Sequence, residues 1–270
     1  SLGGSTFISV PKGSLVTDGG TIIESANTNY MWQRVNYAYV TPEMFGALGE
    51  GADEYTQVQA AVNTGKTVYL DKIYAISKCI KTAVVGQQIF GKNRKTSGLI
   101  AKAGVWVNAP DNGVIRVAHN NCYLHDFVAD ANNVGSAPSN RTNGCFIVGD
   151  NGTQPIGWTI ERVDALNATG YAHVCFGVEA NPKTSGYYSD CMAYNSQVLF
   201  EQLACDTVVL DKCVGISTSR TIECFHPFAS VKNITYINCE TYPVSDDNSG
   251  AIGINIVSVN NYDLGTIKFI

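Results

Sequence analysis

Between residues 121 and 240 one short pattern of apolar and polar positions recurs five times. Each copy runs apolar, any residue, apolar, two mostly polar residues, then a small or apolar residue that opens a second alternating run. The copies are Cys122-Leu124-Phe127, Trp158-Ile160-Val163, Gly186-Tyr188-Cys191, Val208-Leu210-Cys213 and Ile234-Tyr236-Cys239. A period of two puts the first pair on one face of a strand, and the polar pair predicts a bend that returns the chain to the core. Third members stand 36, 28, 22 and 26 residues apart, and steps of roughly 20 to 50 residues mark stacked supersecondary units. Helical repeats would show three- and four-residue spacing, which these stretches lack. The repeat therefore predicts a β-solenoid whose corners release loops of unequal length.

Upstream, Phe7-Ile8-Ser9-Val10, the turn at Asp18-Gly19-Gly20 and the segment Tyr30 to Val35 predict a small β module over the first coil, with Trp32 as a packing anchor. Val58, Ala61 and Val62 share one face of a short helix that Asp53 or Thr56 can cap. The segments 67–70 and 74–77 alternate as strands. The chain divides into a capping segment, 1–40, and a solenoid domain, 41–270. Its last residues still alternate, so the C-terminal end is expected to be truncated or covered by a partner subunit.

Composition sharpens this picture. Of 270 residues 45% are hydrophobic and only 15% charged, with formal net charge −5, which suits a turn-rich β protein and argues against a nucleic-acid partner, since that needs a basic stripe. No run of 18 apolar residues occurs, and the first residues show no basic region followed by an apolar segment, so neither a membrane-spanning helix nor a signal peptide is expected from this stretch. Six of the nine cysteines fall on the repeat: Cys122, Cys191, Cys213 and Cys239 inside the phrase, Cys175 and Cys224 in the strand after it. Without a CxxC pair, they are expected to be reduced, small core residues of a chain folded in a reducing cytoplasm.

The run Phe45-Gly46-Ala47 to Asp53, the short helix after it, and the strand Val68-Tyr69-Leu70 to Tyr74 resemble the opening signature of the pectate-lyase-like superfamily. Glu50 replaces its first Asp, Glu54-Tyr55 its Asp pair, and Asp71-Lys72-Ile73 its Pro-x-Gly turn. With the upstream FISVPxG and YMWQRV phrases, the chain is similar to bacteriophage tailspike proteins over roughly residues 6–260. The resemblance implies an all-β, right-handed, single-stranded parallel β-helix with a small N-terminal cap and a capping helix. It further implies a homotrimer in the virion, joined to the phage tail or baseplate by its N-terminal region, that recognises and depolymerises capsule, lipopolysaccharide or exopolysaccharide. The alternative from another class is a non-catalytic glycan-binding adhesin or structural tail module.

Glycosidases use paired carboxylates, so outward acids on neighbouring coils are the candidates. If Val174, Phe176, Val198, Phe200, Ile222 and Cys224 point inward, Glu179, Glu201 and Glu223 point outward on successive coils, with His226 beside them. These three are the expected catalytic acids, and His226 a substrate contact. Asp130 and Asp164, with Tyr194 one coil on, form a second group of expected substrate contacts, and Asp246-Asp247 a third. Asp126, Asp190 and Asp211 read as turn formers, and Lys92, Arg94, Lys95 and Lys102 as either a solvated loop or an anionic-glycan contact. His119, His125, His173 and His226 lack metal-ligand spacing, so no metal or other cofactor is expected. Elimination chemistry with a Lys, Arg, Tyr or His base against an acidic sugar stays open beside hydrolysis.

Overall fold

A computed structural model describes residues 6–104, 113–134, 144–149, 152–243, 252–254 and 265–270. Asp246 and Asp247, Ser1 to Ser5 and residues 135–143 lie outside the described residues. From Val68 onward the chain winds through three parallel sheets in turn, so each coil contributes one strand to each sheet. Among the described residues the first sheet has eight strands and the second and third have seven each. The fold is a parallel β-helix. Coil 4, for example, consists of Ile156–Glu161, Asp164–Leu166 and Tyr171–Phe176, and coil 5 of Ser185–Ser189, Met192–Tyr194 and Val198–Leu203.

The repeating phrase marks the corner between the first two sheets, and its third members stack in register. Asp164, Met192, Val214 and Glu240 donate their backbone N–H groups to the carbonyls of Phe127, Val163, Cys191 and Cys213, each one coil back. Phe127, Val163, Cys191 and Cys213 are buried, and Cys239 half-buried. A core of this kind is close-packed, so Phe127→Ala would cost ~3–5 kcal/mol. On the third sheet Phe146, His173, Phe200 and Phe225 form a second interior stack, with ring centroids 5.0, 4.8 and 5.1 Å apart. Burial drives the His173 ring down to about 3, so this histidine is a neutral core group. All nine cysteines are free thiols, eight of them buried.

The helix Tyr55–Asn63 sets Val58, Ala61 and Val62 into the same core. Asp53 Oδ1 accepts the backbone N–H of Tyr55 at 3.1 Å, and also that of Ser77 at 3.0 Å. The N-terminal strands Thr6–Pro11, Ile22–Glu24 and Tyr30–Val35 form an antiparallel sheet. Trp32 is 43% exposed there, against the expectation of a packing anchor. It lies in the middle strand of a sheet too small to bury both faces.

Candidate functional site

The corner after each first-sheet strand is turned by a single residue in the left-handed region: Asp126, Arg162, Asp190, Lys212 and Asn238, with φ of 61°, 48°, 49°, 54° and 49°. Asp and Asn adopt this conformation most easily among non-glycine residues. Each corner N–H is held by the next coil, as Asp126 N to Glu161 O at 3.2 Å and Arg162 N to Ser189 O at 2.9 Å. The residue before the corner stands outward on the first sheet, and the residue two after it stands outward on the second. One sequence phrase thus places polar side chains on both sides of one edge.

On the first-sheet side the groups pair with one another. Arg162 Nε and Nη2 donate to the two oxygens of Asp126 at 2.7 and 2.9 Å. Its Nη1 and the Tyr123 hydroxyl both donate to Glu161. His125 Nδ1 lies 2.6 Å from Asp126 Oδ2, and the Gln88 amide 2.8 Å from His125 Nε2. Phe90 and Tyr123 stack on the His125 ring with centroids 5.3 and 4.3 Å away. The Arg162 guanidinium, aided by His125, pulls the Asp126 carboxyl down to about 2, and Asp126 in turn raises Arg162.

On the second-sheet side the pairing is incomplete. Asp164 opens its strand over a depression of about 310 Å³ with an apolar floor of Ile73, Ile100, Val128 and Leu166, and it also borders a neighbouring one of about 320 Å³ reaching Asp190. A Cβ at Gly98, under this floor, would meet the Val128 carbonyl oxygen at 1.9 Å, so the coils close there only with glycine. Arg94 Nη1 lies 3.5 Å from Asp164 Oδ1 and 3.4 Å from Asp190 Oδ1, and donates to the Asp190 carbonyl at 2.8 Å. Those two carboxylate oxygens are therefore no more than about 7 Å apart. Asp164 Oδ1 is buried yet accepts no hydrogen bond among the described residues. Burial, with Asp190 adding to it against Arg94 and Lys95, pushes the Asp164 carboxyl up to about 6.

The other expected site residues separate into groups. Asp130 lines the same depression, but its Oδ1 accepts the Asn132 N–H at 2.7 Å and the Asn167 amide at 3.0 Å. It belongs to a ladder in which Asn195 donates to Asn167 at 2.8 Å, along the left-handed residues Asn132, Asn167 and Asn195. Tyr194 is half-buried and pairs with Leu166 one coil from the depression. On the third sheet Glu201 faces outward as expected, and its register partner on the next coil is His226. His226 Nδ1 lies 2.8 Å from Glu223 Oε2 and 3.4 Å from Glu201 Oε2. His226 is 8% exposed and Glu201 only 3%, so the expected substrate contact and its outward acid are both largely shut off from solvent.

The alignment behind the glutamate trio needs a correction. His173 and Cys175 point inward, so Val174 and Phe176 point outward, where with Ile147 and Leu203 they build a separate apolar cluster on the third sheet. Glu179 consequently falls in the turn after its strand rather than on it. Sequence reasoning read Asp190 as a turn former and Arg94 as a solvated-loop residue or anionic-glycan contact, and did not join either to Asp164. Asp190 carried a signal, the polar position before an inward residue, but Arg94 reaches it across three coil rises, roughly 14 Å at ~4.8 Å each, and no spacing encodes such a reach.

Comparison with solved structures agrees with this architecture. The chain is similar to full-length tailspike protein 2 from Escherichia coli O157:H7 bacteriophage CAB120, at 14% identity and a TM-score of 0.59, covering 100% of this chain and 46% of that one. It is similar also to tailspike protein gp49 of the Acinetobacter baumannii bacteriophage Fri1, a capsular polysaccharide depolymerase, at 14% identity and 0.61, covering 98% and 56%. A third likeness is to pre-mature bacteriophage phi29 gene product 12, at 12% identity and 0.58, covering 85% and 36%. The chain thus spans about half or less of the length of these proteins. No family model matches the sequence, and no curated relative matches it. The shared feature is the parallel β-helix fold of phage tailspikes.

Proposed function

We propose that this chain is the polysaccharide-processing β-helix of a trimeric, virion-borne tailspike-type protein, and that it hydrolyses glycosidic bonds of bacterial surface polysaccharide in the second-sheet groove. One observation carries the reading: Asp164 is a half-buried carboxyl with one buried, unsatisfied oxygen, its pKa raised to about 6, within about 7 Å of a second carboxylate in an open groove. A carboxyl of that kind keeps a proton close to neutrality and gives it to a leaving glycosidic oxygen. Asp190 supplies the second carboxylate, attacking the anomeric carbon at a ~5–5.5 Å separation or activating water at ~6.5–9.5 Å. Product stereochemistry separates the two routes. The pair Glu201 and Glu223 is less suited to a polymer, because Glu201 is sealed from solvent.

The test is to incubate the purified chain with bacterial capsules, lipopolysaccharides and exopolysaccharides. New reducing ends without the ultraviolet absorbance of an unsaturated uronate are expected. Unsaturated ends would assign a lyase, and binding without new ends would leave the adhesin.

A further inference from the structure

We infer that the second-sheet groove takes a glycan bearing an anionic substituent, and that Lys95 is the residue that selects it. The inference rests on the glycan reading above and narrows it to a substrate class. Lys95 lines both depressions that flank Asp164. Every other charged side chain lining them has a partner. Arg94 is taken by Asp164 and Asp190, and Asp130 by two amides of the asparagine ladder. The Lys95 ammonium makes no hydrogen bond or ion pair among the described residues, and acts on Asp164 only through its field.

The loop that carries Lys95 is fixed in advance. Asn93 Oδ1 accepts the backbone N–H groups of Lys95 and Thr96 at 2.9 and 3.0 Å, and the Ser97 hydroxyl closes on the Asn93 carbonyl at 2.8 Å. Presenting an ammonium on a preset turn lowers the ordering cost of using it. Charge balance points the same way. Arg94 and Lys95 face three carboxylates, Asp130, Asp164 and Asp190, so the lining is net negative while all are ionised and becomes neutral once Asp164 takes up the proton it would donate. The net repulsion of an anion is then gone, and Lys95, the lining cation that has no partner among the described residues, pairs with an anionic substituent. It would also strengthen the hold of Asp164 on its proton, because a nearby like charge disfavours ionisation. Substrate of this class therefore helps keep the acid in its working form. Lys92 and Lys102 do not compete for the role: neither lines the groove, and Lys102 donates to the Gly51 carbonyl at 2.6 Å.

The experiment measures binding of purified bacterial polysaccharides by titration calorimetry, each in its native form, after carboxyl reduction and after dephosphorylation. Wild-type protein is expected to lose about tenfold or more in affinity when the anionic group is removed, the size of one charge-assisted contact. Lys95→Ala should bind native and neutralised polymers equally weakly, and Lys95→Arg should recover the preference. Binding of the native polymer should tighten as pH falls through about 6, and Asp164→Asn should abolish that dependence. The chemical treatment that weakens binding identifies the anion. Equal affinity of wild type for native and neutralised polymer, or a preference that survives in Lys95→Ala, overturns the inference alone. A wild-type chain that binds none of the polymers overturns the inference together with the glycan reading.

Discussion

Asp126 and Asp164 flank the same corner of adjacent coils, and their environments drive them in opposite directions. Asp126 is gripped by Arg162 and His125 and falls to about 2, whereas Asp164 is half-buried with one buried oxygen unsatisfied and rises to about 6. The contrast separates structural from chemical polarity. On the first-sheet side donors and acceptors meet each other, and a network of that kind ties coil to coil with little left for a ligand. On the second-sheet side a buried acceptor is left open, at a cost of ~1–3 kcal/mol for a neutral group and more for a charged one. An atom held in that condition beside a groove is where substrate is expected to complete the bonding.

The largest effect should fall on activity. Asp164→Asn is expected to lower polysaccharide hydrolysis at least ~100-fold by removing the general acid, while Asp126→Asn at the same corner leaves turnover nearly intact. Reducing-end assays on the two variants decide it, and equal losses would erase the distinction between the two sides. Stability should show the reverse order. Arg162→Ala strands Asp126 and Glu161 and should lower unfolding free energy by about 1 kcal/mol, at the low end for a charged hydrogen bond because both partners are about one-third exposed. Asp164→Asn should leave the denaturant midpoint unchanged or raise it.

The two carboxylates also make separate contributions to the pH dependence of stability. For Asp126 the folded-state value lies below the ordinary 3.8, so its contribution is present above that pH and is lost as pH falls through about 2. For Asp164 the folded-state value lies above 3.8, so the native state is favoured by its proton at low pH and loses that advantage as pH rises through about 6. Denaturation midpoints across the acid range should therefore flatten below 3.8 in Asp126→Asn, and between 3.8 and 6 in Asp164→Asn. An unchanged profile in either variant removes its carboxylate from the account.

The coil edge was legible because burial writes it with a strict period: Phe127, Val163, Cys191, Cys213 and Cys239 are inward for the same steric reason in every coil. Asp164 was legible as an outward acid two residues past each corner. The third sheet misled because its outer face is itself apolar, so Val174 and Phe176 carry the hydrophobicity expected of inward positions. Alternation cannot tell a core face from a covered outer face. The register of Glu201 against His226 follows from that strand, and its burial was invisible for the same cause. Pairing on the first-sheet side was hidden differently, since Asp126 and Arg162 are 36 residues apart in sequence and meet only because coils stack.

Arg94 supplies the finest comparison, because it touches the groove from outside either sheet. Its guanidinium works against the burial that raises Asp164, so Arg94→Ala should raise that carboxyl further. The alkaline limb of the pH–rate profile, which reports loss of the acid's proton, would then move upward by about one unit. Arg94→Lys keeps the charge and should hold the limb near its wild-type position, although it gives up the hydrogen bond to the Asp190 carbonyl. Moderate salt should imitate the alanine variant only weakly, since screening is poor where Asp164 is largely shielded from solvent. A purely mechanical role for Arg94, pinning the 92–97 loop along the corner, predicts something else: both variants slow and neither moves the limb. Two pH–rate profiles are enough to choose between a guanidinium that tunes the acid and one that only ties the loop down.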